Sequence, residues 1–366
     1  MNLDFYRGKK VFITGHTGFK GSWMTAVLLE LGASVTGYSL DSPTNPSLFG
    51  ILQLEGRINS VTGDIRDLPH LTEAMAEGAP DIVIHMAAQP IVRDSYKEPV
   101  YTYETNVMGT VNLMEAVRKT PSVKSVINVT TDKVYRNREW DRGYVETDEL
   151  NGFDPYSNSK SCSELVTSSY VNSFFTDDEY NKNYGIKAPA VSTMRAGNVL
   201  GGGDFANDRI IPDCVRALEK NRVIEIRNPY SVRPFQHVLE PIFAYLMVAA
   251  AQYEDRTYAG NYNIGPDDSD AITTGELTTK FCDYWNKRNE AIGLSKASWT
   301  TNAVKGPHEA GLLKLNCDKI KKTFNWEPKW NIDKTIDKTV EWYIAYLNGD
   351  NIKSVMDKQI NEFIGK

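Results

Sequence analysis

The sequence predicts an α/β protein: a Rossmann-type doubly wound parallel sheet joined to a smaller mixed α/β lobe. Three observations predict it. Short β-branched runs alternate with helical patterns through the first half of the chain. A glycine cluster, Gly15 to Gly21, follows the first of those runs at once. Beyond about residue 200 the alternation loosens into short elements punctuated by Asn228-Pro229, Arg233-Pro234 and Gly265-Pro266.

The first strand is predicted at Val11-Phe12-Ile13 and the first helix at the amphipathic stretch Trp23–Leu31. Further strands are predicted at Ser34–Leu40, Ile58–Thr62, Asp81–Met86, Val123–Thr130 and Ala190–Arg195. Helices are predicted between them at Leu68–Glu77, Thr105–Arg118 and Tyr156–Phe175. Asp154-Pro155 gives the last of these a capping side chain and a first-turn proline. Helical patterns return at Pro212–Lys220, Leu239–Tyr253, Thr274–Arg288 and Asp333–Leu347. This reading divides the chain into a dinucleotide-binding domain over 1–195, with a returning segment near 235–262, and a second lobe over 196–234 and 263–366. In such sheets ligands lie beyond the carboxyl ends of the strands, here where the two lobes would meet.

Composition narrows the function. The 366 residues are 41% hydrophobic and 24% charged, which excludes disordered, collagen-like and disulfide-scaffold classes. Lys and Arg number 41 against 47 Asp and Glu, a net charge of −6, the opposite of what a phosphate-backbone binder carries. Cys162, Cys214, Cys282 and Cys317 form no CxxC pair, and five histidines with no HExxH argue against a metal site. The residues from Met1 to Lys10 form no apolar signal segment, and no apolar run reaches the about 18 residues of a membrane span. The expectation is a soluble, reduced, cytoplasmic protein without nucleic-acid or membrane partners.

The turn Gly15-His16-Thr17-Gly18-Phe19-Lys20-Gly21 joins the first strand to the first helix. One glycine permits the tight turn, another lets backbone approach a pyrophosphate, and Gly21 allows close helix–strand packing. Phosphates then meet free N–H groups at the helix N-terminus. The second strand ends Tyr38-Ser39-Leu40-Asp41, with Ser39 where a ribose-binding acid is usually sought. Asp41-Ser42-Pro43 reads equally as a turn or a ribose contact, which leaves NAD favoured over NADP without settling it. Asp64-Ile65 after the third strand suits an adenine pocket, with Asp64 accepting from the exocyclic amine.

Tyr156 and Lys160 lie four apart and share a helix face. A free tyrosine, with a pKa near 10, is only about one part in a thousand ionised at neutral pH, and a neighbouring ammonium favours its phenolate. Tyr6 and Lys10 have the same spacing, but they precede the first strand, away from any crevice-facing end. Thr130-Thr131-Asp132-Lys133 ends the fifth strand, where side chains reach the crevice.

With these features the chain resembles the extended short-chain dehydrogenases/reductases. The resemblance adds His85-Met86-Ala87-Ala88-Gln89 and Asn106 within Thr105-Asn106-Val107-Met108-Gly109-Thr110 to the glycine turn and the Tyr156/Lys160 pair. Within that family the branch that dehydrates nucleotide sugars is suggested by Thr131-Asp132-Lys133-Val134-Tyr135, by Arg195 to Asp204, and by Arg233 to Pro241. His308-Glu309 followed by Leu313-Lys314-Leu315 also fits. Sister enzymes acting on dTDP-glucose carry Asp-Glu where this chain has Asp132-Lys133.

The resemblance implies a hydro-lyase that converts CDP-D-glucose to CDP-4-dehydro-6-deoxy-D-glucose, with NAD regenerated in each turnover. It implies cofactor contacts from Gly15, Thr17, Gly18, Phe19, Gly21, Asp64, Ile65, Ala87, Ala88, Asn106, Tyr156 and Lys160. Substrate contacts would come from Gln89, Asn198, Arg209 and Arg233. Tyr156 would take the 4-hydroxyl proton, Lys160 would lower the Tyr156 pKa, and Thr131 would bond the 4-oxygen. Lys133 would act as base at C5, and Asp132 as the acid for the departing 6-hydroxyl. Adjacent strand residues point to opposite faces, so Asp132 and Lys133 reach one sugar only if the backbone leaves strand geometry there. A homodimer or homotetramer through helices 105–118 and 156–175, and a role in deoxysugar supply for O-antigen or lipopolysaccharide, are implied likewise. The alternatives are a dehydratase or 4-epimerase of a dTDP-, GDP- or UDP-sugar and, remotely, a non-catalytic dinucleotide sensor.

Overall fold

The computed structural model describes residues 2–289, 293, 296–301 and 313–366. His308-Glu309 lies outside them. A seven-stranded parallel sheet forms the centre. Its first six strands in chain order are β1 (Lys10–Thr14), β2 (Ser34–Ser39), β3 (Asn59–Thr62), β4 (Ile82–His85), β5 (Ser125–Val129) and β6 (Ala190–Ala196). The seventh, Asn261–Ile264, pairs with β6, and the spatial order from that edge continues β6, β5, β4, β1, β2, β3. Every residue of β4, β5 and β6 is buried, as expected of strands covered on both faces.

Two apolar clusters cover the sheet. One centres on Phe12, Leu71, Val83, Leu113 and Val126, the other on Ile13, Trp23, Ile84, Ile127 and Leu246. The larger cluster runs on into the second lobe through Trp342 and Ile336. Helix α1 (Phe19–Glu30) is fastened to that lobe by Trp23, whose indole N–H donates to the Gly202 carbonyl at 2.9 Å. Trp342 packs so closely beneath Gly202 that a Cβ there would lie 1.9 Å from its ring.

The six strands anticipated from the sequence are present, as are the helices that flank them. The seventh strand was not anticipated, because its sequence Asn-Tyr-Asn-Ile carries polar residues at alternate positions. Asn263 is nonetheless fully buried, since its amide is satisfied by Tyr135 and by the Tyr144 and Asn316 carbonyls. The helix expected at 105–118 is regular only over Gly109–Arg118 and is preceded by a π turn at Glu104–Met108. Helices Val92–Lys97, Asp177–Tyr184, Asp318–Phe324 and Ile352–Ile364 were also not anticipated.

The strand order reverses between β1 and β4, so the crevice opens beyond their carboxyl ends. Thr14, His85 and Asn128 stand level across β1, β4 and β5. The Thr14 hydroxyl oxygen accepts from the Met86 and Ala87 N–H groups, at 3.1 and 3.2 Å, which turns the chain after β4 toward the glycine loop.

Candidate active site

The glycine loop is built for close approach. Gly15 has φ +77°, and a Cβ there would lie 2.7 Å from the Ala87 nitrogen. A Cβ on Gly21 would lie 2.1 Å from the Gly15 carbonyl oxygen. Gly18 caps α1 without a side chain, so the first-turn N–H groups at Phe19 face the crevice with no side-chain acceptor. Gly15 and Gly18 therefore leave the N-terminus of α1 free of blocking side chains beside the Ala87 backbone at the switch point, a polar opening that can receive an anion.

The far end of the crevice lies beyond β2 and β3. Thr17 links its hydroxyl to Ser39 Oγ and to the Leu40 carbonyl, both at 2.9 Å. Asp64 accepts from the Arg66 side chain and backbone, and that partner holds its carboxyl below the usual range. The Ile65 carbonyl receives the Asn112 amide at 3.0 Å. Asp41 is exposed.

Asn106 and Gln89 hold the scaffold. The Asn106 amide oxygen accepts from Gln89 N at 2.8 Å, and its nitrogen donates to Gln89 O and to Ser159 Oγ. The Gln89 side chain donates to Thr102 Oγ1 at 2.9 Å and accepts from Ile91 N. Both amides thus tie the π turn at Glu104–Met108 to the chain after β4.

Helix Pro155–Ser173 begins at the expected cap, with Asp154 accepting from Ser157 N at 2.9 Å. The Lys160 ammonium is buried and donates to the Val129 carbonyl at 3.1 Å, at the last residue of β5. Burial lowers its pKa to about 8 against the opposing pull of Glu164. The Tyr156 phenol is pushed up to about 12, mainly by burial. The Thr131 hydroxyl bonded to it and nearby Arg209 pull it down, while Asp132 and Asp154 oppose them.

Beyond Val129 the backbone does leave strand geometry. Asp132–Val134 forms a single 3₁₀ turn capped by Thr131. Asp132 is 1% exposed; its Oδ1 accepts from Thr131 Oγ1 at 2.9 Å and its Oδ2 has no partner among the described residues. Burial raises its pKa, against Lys133, Thr131 and Arg233. Lys133 is half-buried on the same turn. Thr131, Asp132 and Tyr156 are therefore brought together as the sequence predicted.

Segments after β6 pack against this turn. A Cβ on Gly197 would lie 3.3 Å from Asp132 Oδ2 and 3.0 Å from Pro234 Cγ, so the segments carrying Asn198 and Arg233 flank the buried carboxyl. Arg233 is 9% exposed and donates to the Val232 carbonyl. Arg209 pairs with Asp204 at 2.8 Å.

Sequence reasoning passed over Lys20. It lies electrostatically close to Arg209, Lys160 and Asp132, and burial with those two cations lowers its pKa to about 7. A signal was present: a lysine in the first turn of a helix opposes the helix dipole and needs another reason to be there. Among the described residues there is no cluster of potential metal ligands and no helix long and apolar enough to cross a membrane.

A glycine cradle at the switch point facing a tyrosine–lysine helix is the arrangement of the extended short-chain dehydrogenases/reductases, and the chain belongs to this family. The profile of its GDP-mannose 4,6 dehydratase members matches residues 12–339. The chain is 46% identical to the CDP-glucose 4,6-dehydratase of Salmonella typhimurium, over 100% of this chain and 98% of that protein. It is 26% identical to a dTDP-glucose 4,6-dehydratase of Xanthomonas campestris, over 94% and 95% of the two chains. Among solved structures, the UDP-glucose 4-epimerase of Stenotrophomonas maltophila, with bound NAD, aligns with a TM-score of 0.76 at 18% identity, covering 93% of this chain and 99% of that one. The dTDP-glucose 4,6-dehydratase of Bacillus anthracis, in complex with NAD, aligns at 0.70 and 22%, covering 94% and 99%. At those identities the structures attest the fold.

Proposed function

We propose that this chain is an NAD-dependent CDP-D-glucose 4,6-dehydratase. The observation that carries the reading is the 3₁₀ turn at Asp132–Val134, which follows β5 and carries a buried carboxyl electrostatically close to Tyr156, with the Lys133 amine on the same turn. The identity of 46% with the Salmonella enzyme supports the cytidine nucleotide. NAD, held by the Gly15–Gly21 cradle, Ala87, Ala88 and the Asp64–Ile65 corner, supplies the hydride acceptor at C4 and the hydride donor at C6.

Tyr156 takes the 4-hydroxyl proton as hydride leaves C4, with Thr131 bonding the 4-oxygen. The 4-ketone acidifies the C5 proton, which Lys133 removes. Asp132, whose pKa burial raises, gives its proton to the departing 6-hydroxyl and water leaves; hydride then returns to C6 and a proton to C5. Arg233 and Arg209 hold the pyrophosphate, and Asn198 bonds the phosphate or sugar.

The chain assembles as a homodimer or homotetramer. Val100, Met108 and Leu165 are 69%, 50% and 57% exposed on or beside helices Gly109–Arg118 and Pro155–Ser173, and large apolar side chains grouped in this way favour a second copy as cover.

The test is incubation of the purified protein with CDP-, dTDP-, UDP- and GDP-hexoses, followed by mass spectrometry for loss of one water. Loss confined to CDP-glucose is the expected result. Loss with another nucleotide overturns the cytidine assignment, and inverted sugar without loss overturns dehydration.

A further inference from the structure

The face of helix Pro155–Ser173 that carries Tyr156 and Lys160 continues one turn further to Glu164. There it enters a buried charge network to which the reaction above gives no part. Glu164 and Arg195 are 3% and 1% exposed and meet as a two-pronged pair, Nε to Oε1 at 2.9 Å and Nη2 to Oε2 at 2.8 Å. Thr130 donates to Oε1 at 2.5 Å and Thr193 to Oε2 at 2.6 Å. The carboxylate therefore accepts four hydrogen bonds and is fixed in position.

Two consecutive residues at the end of β5 hold this helix. The Val129 carbonyl receives Lys160, and the Thr130 hydroxyl reaches Glu164. The next residues are Thr131, Asp132 and Lys133. Behind Glu164, Arg195 donates to the Tyr135 hydroxyl at 2.8 Å and to the Glu146 carbonyl at 3.0 Å. The Tyr135 hydroxyl donates to Asn263 Oδ1 at 2.7 Å. The pair is thus bolted to both ends of the Thr131–Tyr135 segment.

We propose that Glu164, oriented by Arg195, is a positioning residue for the reaction: it fixes the strand end that carries Thr131 to Lys133 and keeps Lys160 in its ammonium form. This rests on the reading of Tyr156 and Lys160 as the oxidation pair. Other charges also face Lys160. Lys20 approaches from α1 and His85 from β4, and Tyr156 shares its own helix. Arg195 stands behind Glu164 on β6 and Asp132 lies just past β5. Burial lowers His85 to about 3, so it is neutral, and Lys20, at about 7, is largely neutral above that pH. Glu164 is then the anion that supports the ammonium against burial.

A pair that merely cements the core would lower thermal stability when broken and leave the pH dependence of turnover unmoved. The proposal predicts shifts of opposite sign. Glu164→Gln removes the supporting charge, so the alkaline limb of the kcat profile should move down by about one pH unit. Arg195→Met leaves Glu164 uncompensated, and the limb should move up. Glu164→Asp, which keeps the charge, should leave it in place while kcat falls. Circular dichroism and thermal unfolding establish that each variant is folded. If Glu164→Gln does not fold, the Arg195→Met limb decides: an upward move supports the proposal, and a limb that stays or falls overturns it. A folded Glu164→Gln with an unmoved limb overturns it as well. Tyr156→Phe separates the two readings: retained turnover there removes the oxidation pair itself, whereas lost turnover with an unmoved Glu164→Gln limb removes only this inference.

Discussion

Thr131 donates its hydroxyl to Asp132 Oδ1 at 2.9 Å, and both side chains lie close enough to the Tyr156 phenol to shift it. One hydroxyl therefore ties the residue assigned to oxidation to the residue assigned to elimination. Asp132 is buried and Tyr156 partly buried, and burial favours the protonated form of each.

Tyr156→Phe should lower kcat by about 10²- to 10⁴-fold, the usual worth of a positioned acid–base group, with KM changed by less than about threefold. Steady-state kinetics with CDP-glucose check this. A variant within about twofold of the parent would remove Tyr156 as the base at the 4-hydroxyl.

Lys133→Met should still oxidise C4 but stop exchange of the C5 proton with solvent deuterium. Asp132→Asn should oxidise C4 and exchange C5 yet lose the 6-hydroxyl slowly. Nuclear magnetic resonance of the sugar in deuterated buffer reads both. Exchange that persists in Lys133→Met would transfer the base role elsewhere.

Arg233→Ala should raise KM by about tenfold while kcat falls less, because a charge-assisted bond to phosphate is made before and during the chemistry alike. An unchanged KM would take Arg233 out of the substrate site.

Glu240 offers a stability test away from the chemistry. It is 1% exposed; its Oε1 accepts from Lys329 N and Trp330 N, at 3.0 and 2.8 Å, and burial raises its pKa from 4.5 to about 7. A carboxyl raised on folding stabilises below its unfolded pKa, and that contribution is lost as pH climbs through about 7. The stability of the parent relative to Glu240→Gln should fall by roughly 3 kcal/mol between pH 4 and pH 8. Denaturant unfolding of both proteins across that range measures the difference. A constant difference would show that Glu240 ionises freely.

Much of the site was legible because its chemistry is local. Tyr156 and Lys160 share a face by helix period alone, and Gly15 to Gly21 declare a cradle because a side chain at Gly15 or Gly21 would collide with backbone. The internal partners of Asn106 and Gln89 were not legible in the sequence. Their partners, Ser159 and Thr102, lie 53 and 13 residues away, and no periodicity reports where an amide points. Lys20 was passed over for the same reason: its neighbours Lys160, Arg209 and Asp132 come from three separate segments.

The sequence by itself determined the doubly wound class, six of the seven strands, the glycine cradle and the tyrosine–lysine pair, all of which follow from short-range sterics and hydrophobic period. Tertiary structure alone decided the rest. The seventh strand forms because Tyr135 and two carbonyls satisfy a buried Asn263. The upward shift of the Asp132 pKa follows from burial against segments distant in the chain, Gly197 among them. The support for Lys160 comes from a Glu164 whose own charge is held by Arg195 of another strand. Burial and charge depend on what folds over a residue, and its chain neighbours do not specify that.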